Sequence, residues 1–230
     1  MTTERLFINN MDIADFNARA LRDSLKIGGT ELSNDSFQGR NRTHFTLMAT
    51  TYGLKSVGFS LLFTAKYLHK ALELKSKCEA QMYGECELYM PDGFYYRSML
   101  EKIGDADIKG VDGNQVIVEC SYSFTGIQHD KLEVVENGSK FYAKGTMPKM
   151  DCILEVTVGA DADSYELGGA TFGAVVAGDV LVFDGIYKRF LKNGAPTTAT
   201  EWVSFPSITS GLNQITALDT VKVTYYPCYI

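Results

Sequence analysis

The chain has 230 residues, 45% of them hydrophobic and 22% charged, enough for one large domain or two small ones with a real core. Its formal net charge of −6 comes without any Lys/Arg cluster, which excludes stable nucleic-acid binding but leaves room for a surface past which DNA slides. The start, Met1-Thr2-Thr3-Glu4-Arg5, lacks the apolar core of a signal peptide. The longest apolar runs, Phe59–Phe63 and Phe172–Phe183, are too short to span a bilayer, so the expectation is a soluble protein made in the cytoplasm, with no membrane insertion.

Aromatic residues make up 12%, with 13 Tyr and 13 Phe against one Trp, which tilts the chain toward strands or extensive interfaces. Phe7–Ile13 reads as a short strand entering a turn, and Phe16–Ile27 fits helix or strand equally. Gly28-Gly29 reads as a break and Ser33–Arg42 as a polar loop. Phe45–Leu62 is strand-prone, with a turn at Tyr52-Gly53. One helix is predicted over about 64–82, with Ala65, Leu68 and Leu72 as its apolar stripe, a Glu73/Lys77 pair, and Gly84 as its stop. Its wet side carries Lys66, Lys70 and Lys77, read as a solvated face.

A hairpin follows. Cys86, Leu88 and Met90 alternate with Glu85, Glu87 and Tyr89 before the turn Pro91-Asp92-Gly93. The return strand opens Phe94-Tyr95-Tyr96. Side chains alternate across a strand, so these three aromatics cannot all face one core. They are the candidate subunit-interface residues. Gln115–Ile127 is the clearest strand, with Val116, Val118, Cys120, Tyr122 and Phe124 on one face. Turns at Asn137-Gly138 and Gly145–Pro148 precede a fresh alternation, Leu154, Val156 and Val158 against Glu155 and Thr157. From there short strands recur between turns at sandwich-like spacing, without a helix. The domain boundary is placed at Gly145.

No chemistry-bearing constellation stands out, and no catalytic, cofactor or metal site is expected. Asp105, Asp107 and Gly110 resemble the start of an EF-hand, but Lys109 stands where an oxygen ligand belongs and Val116 where the bidentate Glu belongs. Asp161, Asp163 and Glu166 read as a solvated turn. His44, His69 and His129 have no zinc spacing. Gly58-Phe59-Ser60 lacks the second Gly of a nucleophile elbow, and no phosphate-cradling glycine loop occurs. Cys78, Cys86, Cys120, Cys152 and Cys228 read as reduced hydrophobes. The sequons at Asn34, Asn41 and Asn137 are chance matches. Trp202 with nearby Phe205 offers either a sugar-stacking platform or core filling, and core filling is preferred.

In their order, these motifs resemble the distal tail (Dit) proteins of long, non-contractile-tailed phages that infect Gram-positive bacteria. The residues carrying the resemblance are Gly178–Asp184, Lys192-Asn193-Gly194, Phe205-Pro206 followed by Gly211-Leu212-Asn213, and the closing strand Val221–Pro227. Phe7–Asp12 and Tyr122–Gly126 carry it in the N-terminal half. The resemblance implies a mainly β chain. Residues 1–145 would be a ring-forming, β-barrel-like (split-barrel) domain with one helix, and 146–230 a galectin-like β-sandwich. It implies a structural virion component at the tail tip, not an enzyme. Copies would form a hexameric ring joining the tail tube protein to tail-associated and receptor-binding proteins, with a channel for DNA in passage. A carbohydrate-binding module that contacts the host cell wall and a tail-tube subunit are the other readings. Residues 146–230 lack the His on which galectin sugar sites depend, so the sandwich is not read as a sugar site.

Overall fold

Strand ladders organise nearly the whole chain in the computed structural model, which describes residues 5–38, 40, 43–112 and 114–230. The Asn41 sequon and the Met1–Glu4 start lie outside the described residues. The chain divides into a first unit running to Gln128 and a second spanning His129–Tyr229. It is mainly β, with one α-helix among the described residues.

In the first unit, β1 (Phe7–Ile8) and β2 (Met11–Asp12) form a hairpin around Asn9 and Asn10. Both Asn residues have positive φ, 50° and 65°, as a two-residue hairpin loop requires. Asn9 also anchors the loop, its side chain accepting from Glu87 N at 2.9 Å and donating to Gln81 O at 2.9 Å. The Phe16–Ile27 segment resolves into neither alternative alone. A 3-10 turn, β3 (Ala18–Ala20), a second 3-10 turn and the start of β4 (Lys26–Phe37) share it.

Three expectations fail here. Gly28-Gly29 is an irregularity inside β4 rather than a break, and Ser33–Phe37 is strand rather than loop. Tyr52-Gly53 lies within β5 (Thr46–Ala65), which pairs with β4 from Phe37↔Thr46 to Lys26↔Gly58. The backbone ladder holds these segments in register without a buried face, so they carry no hydrophobic alternation to read. A Cβ at Gly28 would meet Ser56 Oγ at 2.2 Å, so that hydroxyl would have to turn away.

Helix α1 runs Leu68–Glu79, shorter than predicted because β5 continues to Ala65. Its inward residues are Ala71, Leu74 and Cys78, an i, i+3, i+7 stripe, while Leu68 and Leu72 are exposed. The chain leaves the helix through Ala80, four residues before Gly84. The Glu73–Lys77 pair is present at 2.8 Å, and Glu73 also holds Lys70 at 2.6 Å.

β6 (Glu85–Tyr89), β7 (Tyr95–Ile103), β8 (Asp107–Asp112) and β9 (Gln115–His129) complete the unit. The sheet order is β2-β1-β6-β7-β9-β5-β3, with β4 on β5 and β8 on β9. β9 buries Val118, Cys120, Tyr122 and Phe124, as its alternation predicts. Cys120, Tyr122 and Phe124 pack with Val57, Phe59, Leu61 and Phe63 of β5, and with Leu88 and Tyr96, into one core. At Gly126 a Cβ would sit 2.6 Å from Arg97 O, so only Gly permits this approach of β7 to β9.

The second unit opens with β10 (Glu133–Val135) and β11 (Lys140–Ala143), followed by β12 (Met150–Thr157). Next come β13 (Tyr165–Leu167), β14 (Ala170–Phe172), β15 (Val180–Asp184), β16 (Arg189–Lys192), β17 (Ala195–Thr197) and β18 (Glu201–Trp202). β19 (Ser207–Ile208), β20 (Gly211–Gln214), β21 (Val221–Tyr225) and β22 (Cys228–Tyr229) close it. One sheet has the order β10-β21-β12-β15-β16-β17. A second contains β13-β14-β18, and β11 pairs with β20. Side chains from these sheets share a single core: Leu154, Val156, Phe183 and Val223 from the first, Tyr165, Leu167 and Phe172 from the second, and Phe141 from β11. That is a sandwich, with β12 alternating Leu154 and Val156 inward as predicted.

The units divide upstream of the Gly145 turn. β10 pairs with β21 (Val134↔Thr224) and β11 with β20 (Tyr142↔Leu212), so residues 133–143 belong with the C-terminal strands.

Candidate functional site

Several of the groups that could do chemistry are held by neighbours or buried. In the EF-hand-like stretch, Asp107 and Lys109 lie on β8. The Lys109 ammonium stands 3.5 Å from Asp107 Oδ2 and 3.3 Å from Glu119 Oε2, taking the place of any cation. The side chains of Val111 and Asp112 lie outside the described residues. Asp161 accepts Ala177 N at 2.8 Å, closing a loop. Among the described residues, no three His, Cys, Asp or Glu side chains gather as a metal site would need. Ser60 lies in mid-strand on β5, where no sharp strand-to-helix turn presents it. Cys78 and Cys152 are buried, and burial pushes both thiols up to about 12, so neither is a ready nucleophile.

His129 falls in the second unit, which therefore contains a histidine that the 146–230 division left out. It is buried, with Nδ1 2.9 Å from Asp130 O and its ring edge-on to Tyr226.

Two buried polar clusters stabilise the first unit. Glu79, the last residue of α1, pairs with Lys75 at 2.6 Å and accepts from Tyr122 Oη at 3.1 Å. Desolvation pushes the Tyr122 phenol well above its ordinary value, so it remains a donor. Lys55 is buried and donates to Gln128; desolvation lowers its pKa, partly opposed by the Asp92 carboxylate.

The hairpin-tip aromatics separate by strand parity. Tyr96 is 0% exposed in the first unit's core, and its hydroxyl donates to Asp92 Oδ2 at 2.5 Å. It is therefore a residue of its own unit's core. Tyr95 faces the other way, its ring 4.8 Å from Tyr89, while Phe94 is half-buried against the core.

The largest feature that the sequence hides is an arm made of the distal halves of β4 and β5. Ser33–Phe37 pairs with Thr46–Thr51, and every side chain in these two stretches except Thr50 is exposed. Leu32, Phe37, Leu47 and Met48 are 58%, 65%, 53% and 67% exposed. Thr50 Oγ1 donates to Asn34 Oδ1 at 2.8 Å across it. A two-stranded ribbon with both faces wet is marginal alone in water.

In the second unit, Trp202 is 45% exposed and does not fill the core. Among the described residues β18 pairs only with β14, and the indole lies 4.7 Å from Phe205 and 5.6 Å from Phe190. These rings continue inward to Phe183. Sequence alone could not separate these outcomes, because the half-burial follows from β18 being a sheet edge.

No protein-family model and no curated protein sequence matches the chain. Solved structures do. The chain is similar in fold to the Dit (gp 19.1) protein of phage SPP1, described as a paradigm of the hub adsorption apparatus in phages infecting Gram-positive bacteria. That match has a TM-score of 0.72 and 7% identity, and it covers 99% of both chains. It is also similar to a chain of the phage P2 baseplate in its activated conformation with Ca. There the TM-score is 0.52 at 9% identity, over 99% of this chain and 98% of the other.

Proposed function

We propose that this chain is a distal tail hub protein, a structural, non-enzymatic component of a phage virion located at the tail tip. The observation that carries the reading is the full-length likeness in fold to the SPP1 hub protein, which extends through both units. The motif resemblance supports it independently of overall identity. Copies assemble into a hexameric ring whose central channel passes DNA. One side of the ring engages the tail tube protein and the other the tail-associated and receptor-binding proteins. The exposed apolar side chains of the arm support self-association, because each one that a neighbour covers leaves water. Phe94 and Tyr95 are proposed as part of the same subunit interface, and Tyr96 is left out because it is core.

Negative-stain imaging and native mass spectrometry of the purified chain test this. A closed hexameric ring is the expected result, whereas a monodisperse monomer at micromolar concentration overturns it. Extended filaments would instead identify a tail-tube subunit. The half-exposed Trp202, braced by Phe190 and Phe205, favours a second reading: a platform for cell-wall sugar on the second unit. If so, the full chain is retained on purified Gram-positive cell walls and the Trp202→Ala chain is not. Equal retention, or none, removes that reading.

A further inference from the structure

Where β5 ends and α1 begins, the first unit has a groove of about 500 Å³ lined by Thr64, Lys66, Lys70, Glu73, Lys77 and Gln115. Three lysines and one glutamate are among its lining residues. Glu73 is shared between Lys70 at 2.6 Å and Lys77 at 2.8 Å, and the two lysines hold its carboxyl down to about 2. Lys66 is exposed and lies over the Tyr67 ring at 5.4 Å. The groove is therefore net positive on a chain whose formal charge is −6. A positive concavity on an acidic protein attracts a negatively charged partner.

One side of the arm carries two carboxylates. Ladder partners share a face, so Asp35↔Ala49 and Ser33↔Thr51 place Asp35 beside Ala49 and Thr51 on one side of the arm. Glu31 joins that side, because a Cβ built on Gly53 would meet its Cβ at 3.0 Å. Leu32 and Tyr52 lie on the opposite side. Glu31 and Asp35 are exposed, and among the described residues no cation pairs with either.

The two surfaces lie toward opposite ends of β5. The acidic face pairs near Thr51, and the groove begins at Thr64 and Ala65. At about 3.3 Å per residue, roughly 40 Å of strand separates them, so one copy does not fill its own groove. Two different, complementary patches on one chain make a heterologous contact, and such contacts run head to tail and close into rings when the rotation permits.

We propose that the acidic face of one copy's arm, Glu31 and Asp35, seats in the lysine groove of the next copy. This rests on the ring reading and gives the ring a direction: each copy offers its arm to one neighbour and its groove to the other.

The test uses full-length protein and measures the concentration of half-assembly by sedimentation velocity. Lys66→Glu/Lys70→Glu/Lys77→Glu and Glu31→Lys/Asp35→Lys are each expected to raise it about tenfold or more. Combining the two sets is expected to return it to within about threefold of wild type. The combined change swaps the sign on both surfaces and keeps them complementary. Lys66→Gln/Lys70→Gln/Lys77→Gln avoids stacking carboxylates on α1, and it should weaken assembly without loss of the helical signal at 222 nm. Raising sodium chloride should weaken wild type more than the glutamine variant. If wild type assembles and neither reversed set changes it, the arm–groove contact is overturned and the ring stands. If the groove variants weaken assembly but the combined chain does not recover, the groove takes some other acidic partner and the contact is again overturned. A wild type that stays monomeric removes the ring reading itself.

Discussion

Glu79→Ala is the sharpest test of what holds α1 to its sheet. The carboxylate ends the helix, is itself 8% exposed, and receives Lys75 Nζ at 2.6 Å and Tyr122 Oη at 3.1 Å. Removing it strands an ammonium whose side chain is 15% exposed, together with a phenol on a residue that is 1% exposed. Breaking a buried pair from one side costs about 3–5 kcal/mol, and the residual exposure of Lys75 favours about 3 kcal/mol. The orphaned phenol donor belongs to the same loss and is not added to it. With a urea slope of about 2 kcal/mol per molar, the midpoint falls by about 1.5 M. Circular dichroism at 222 nm follows α1 directly, as it is the one α-helix among the described residues. Glu79→Leu combined with Lys75→Met replaces the pair by apolar groups of similar size and should recover most of the loss. A midpoint drop below about 0.3 M for Glu79→Ala would refute the clamp, as would a double variant no better than the single.

Three further outcomes follow from burial and charge. Tyr96→Ser removes a fully buried ring and should cost about 4 kcal/mol, while Tyr95→Ser stays within about 1 kcal/mol; urea midpoints of the two variants decide it. Asp179 is held down to about 2 by Lys192, by Val176 N and by Asn193, so its contribution is present above its ordinary value of 3.8 and is lost as pH falls toward about 2. Trp202 fluorescence during acid titration should therefore show a shallower loss for Asp179→Asn than for wild type across that window, and parallel curves would contradict it. Four of the five cysteines are buried and Cys228 is half-buried, so native protein should release at most about one thiol equivalent to a disulfide reagent and denatured protein all five. Rapid native labelling of several thiols would contradict the core packing.

The parts legible in the sequence were those with one wet face and one dry face. β9 and β12 announce themselves because Val118, Cys120, Tyr122 and Phe124, and then Leu154 and Val156, must all point inward at period two. The helix is visible in the sequence, but the side it buries is not the predicted one. Leu68 and Leu72 match the period as well as Ala71, Leu74 and Cys78 do, and only the extension of β5 to Ala65 sets which side faces in. The unit boundary was hidden for another reason. Turn chemistry at Gly145 is local, whereas Val134↔Thr224 is a pairing between residues far apart in sequence. For the tip aromatics, alternation correctly requires that the three divide between faces, and only the ladder partner of Tyr96, Leu88, shows which of them is inside.

The arm is the reverse case, and it connects legibility to role. Burial gives a strand its readable pattern, so a ribbon wet on both faces looks like a loop: Gly28-Gly29, then Ser33, Asn34, Asp35 and Ser36. Those polar and flexible residues do not stabilise an isolated ribbon, and the apolar ones among them have no inward face to occupy. The chain nevertheless holds a ladder from Lys26↔Gly58 to Phe37↔Thr46, with the acidic residues gathered on one side. A segment so poorly explained by its own fold is best explained by a surface outside it. In the proposed ring the available surface is the next copy, whose groove beside α1 is lined by Lys66, Lys70 and Lys77.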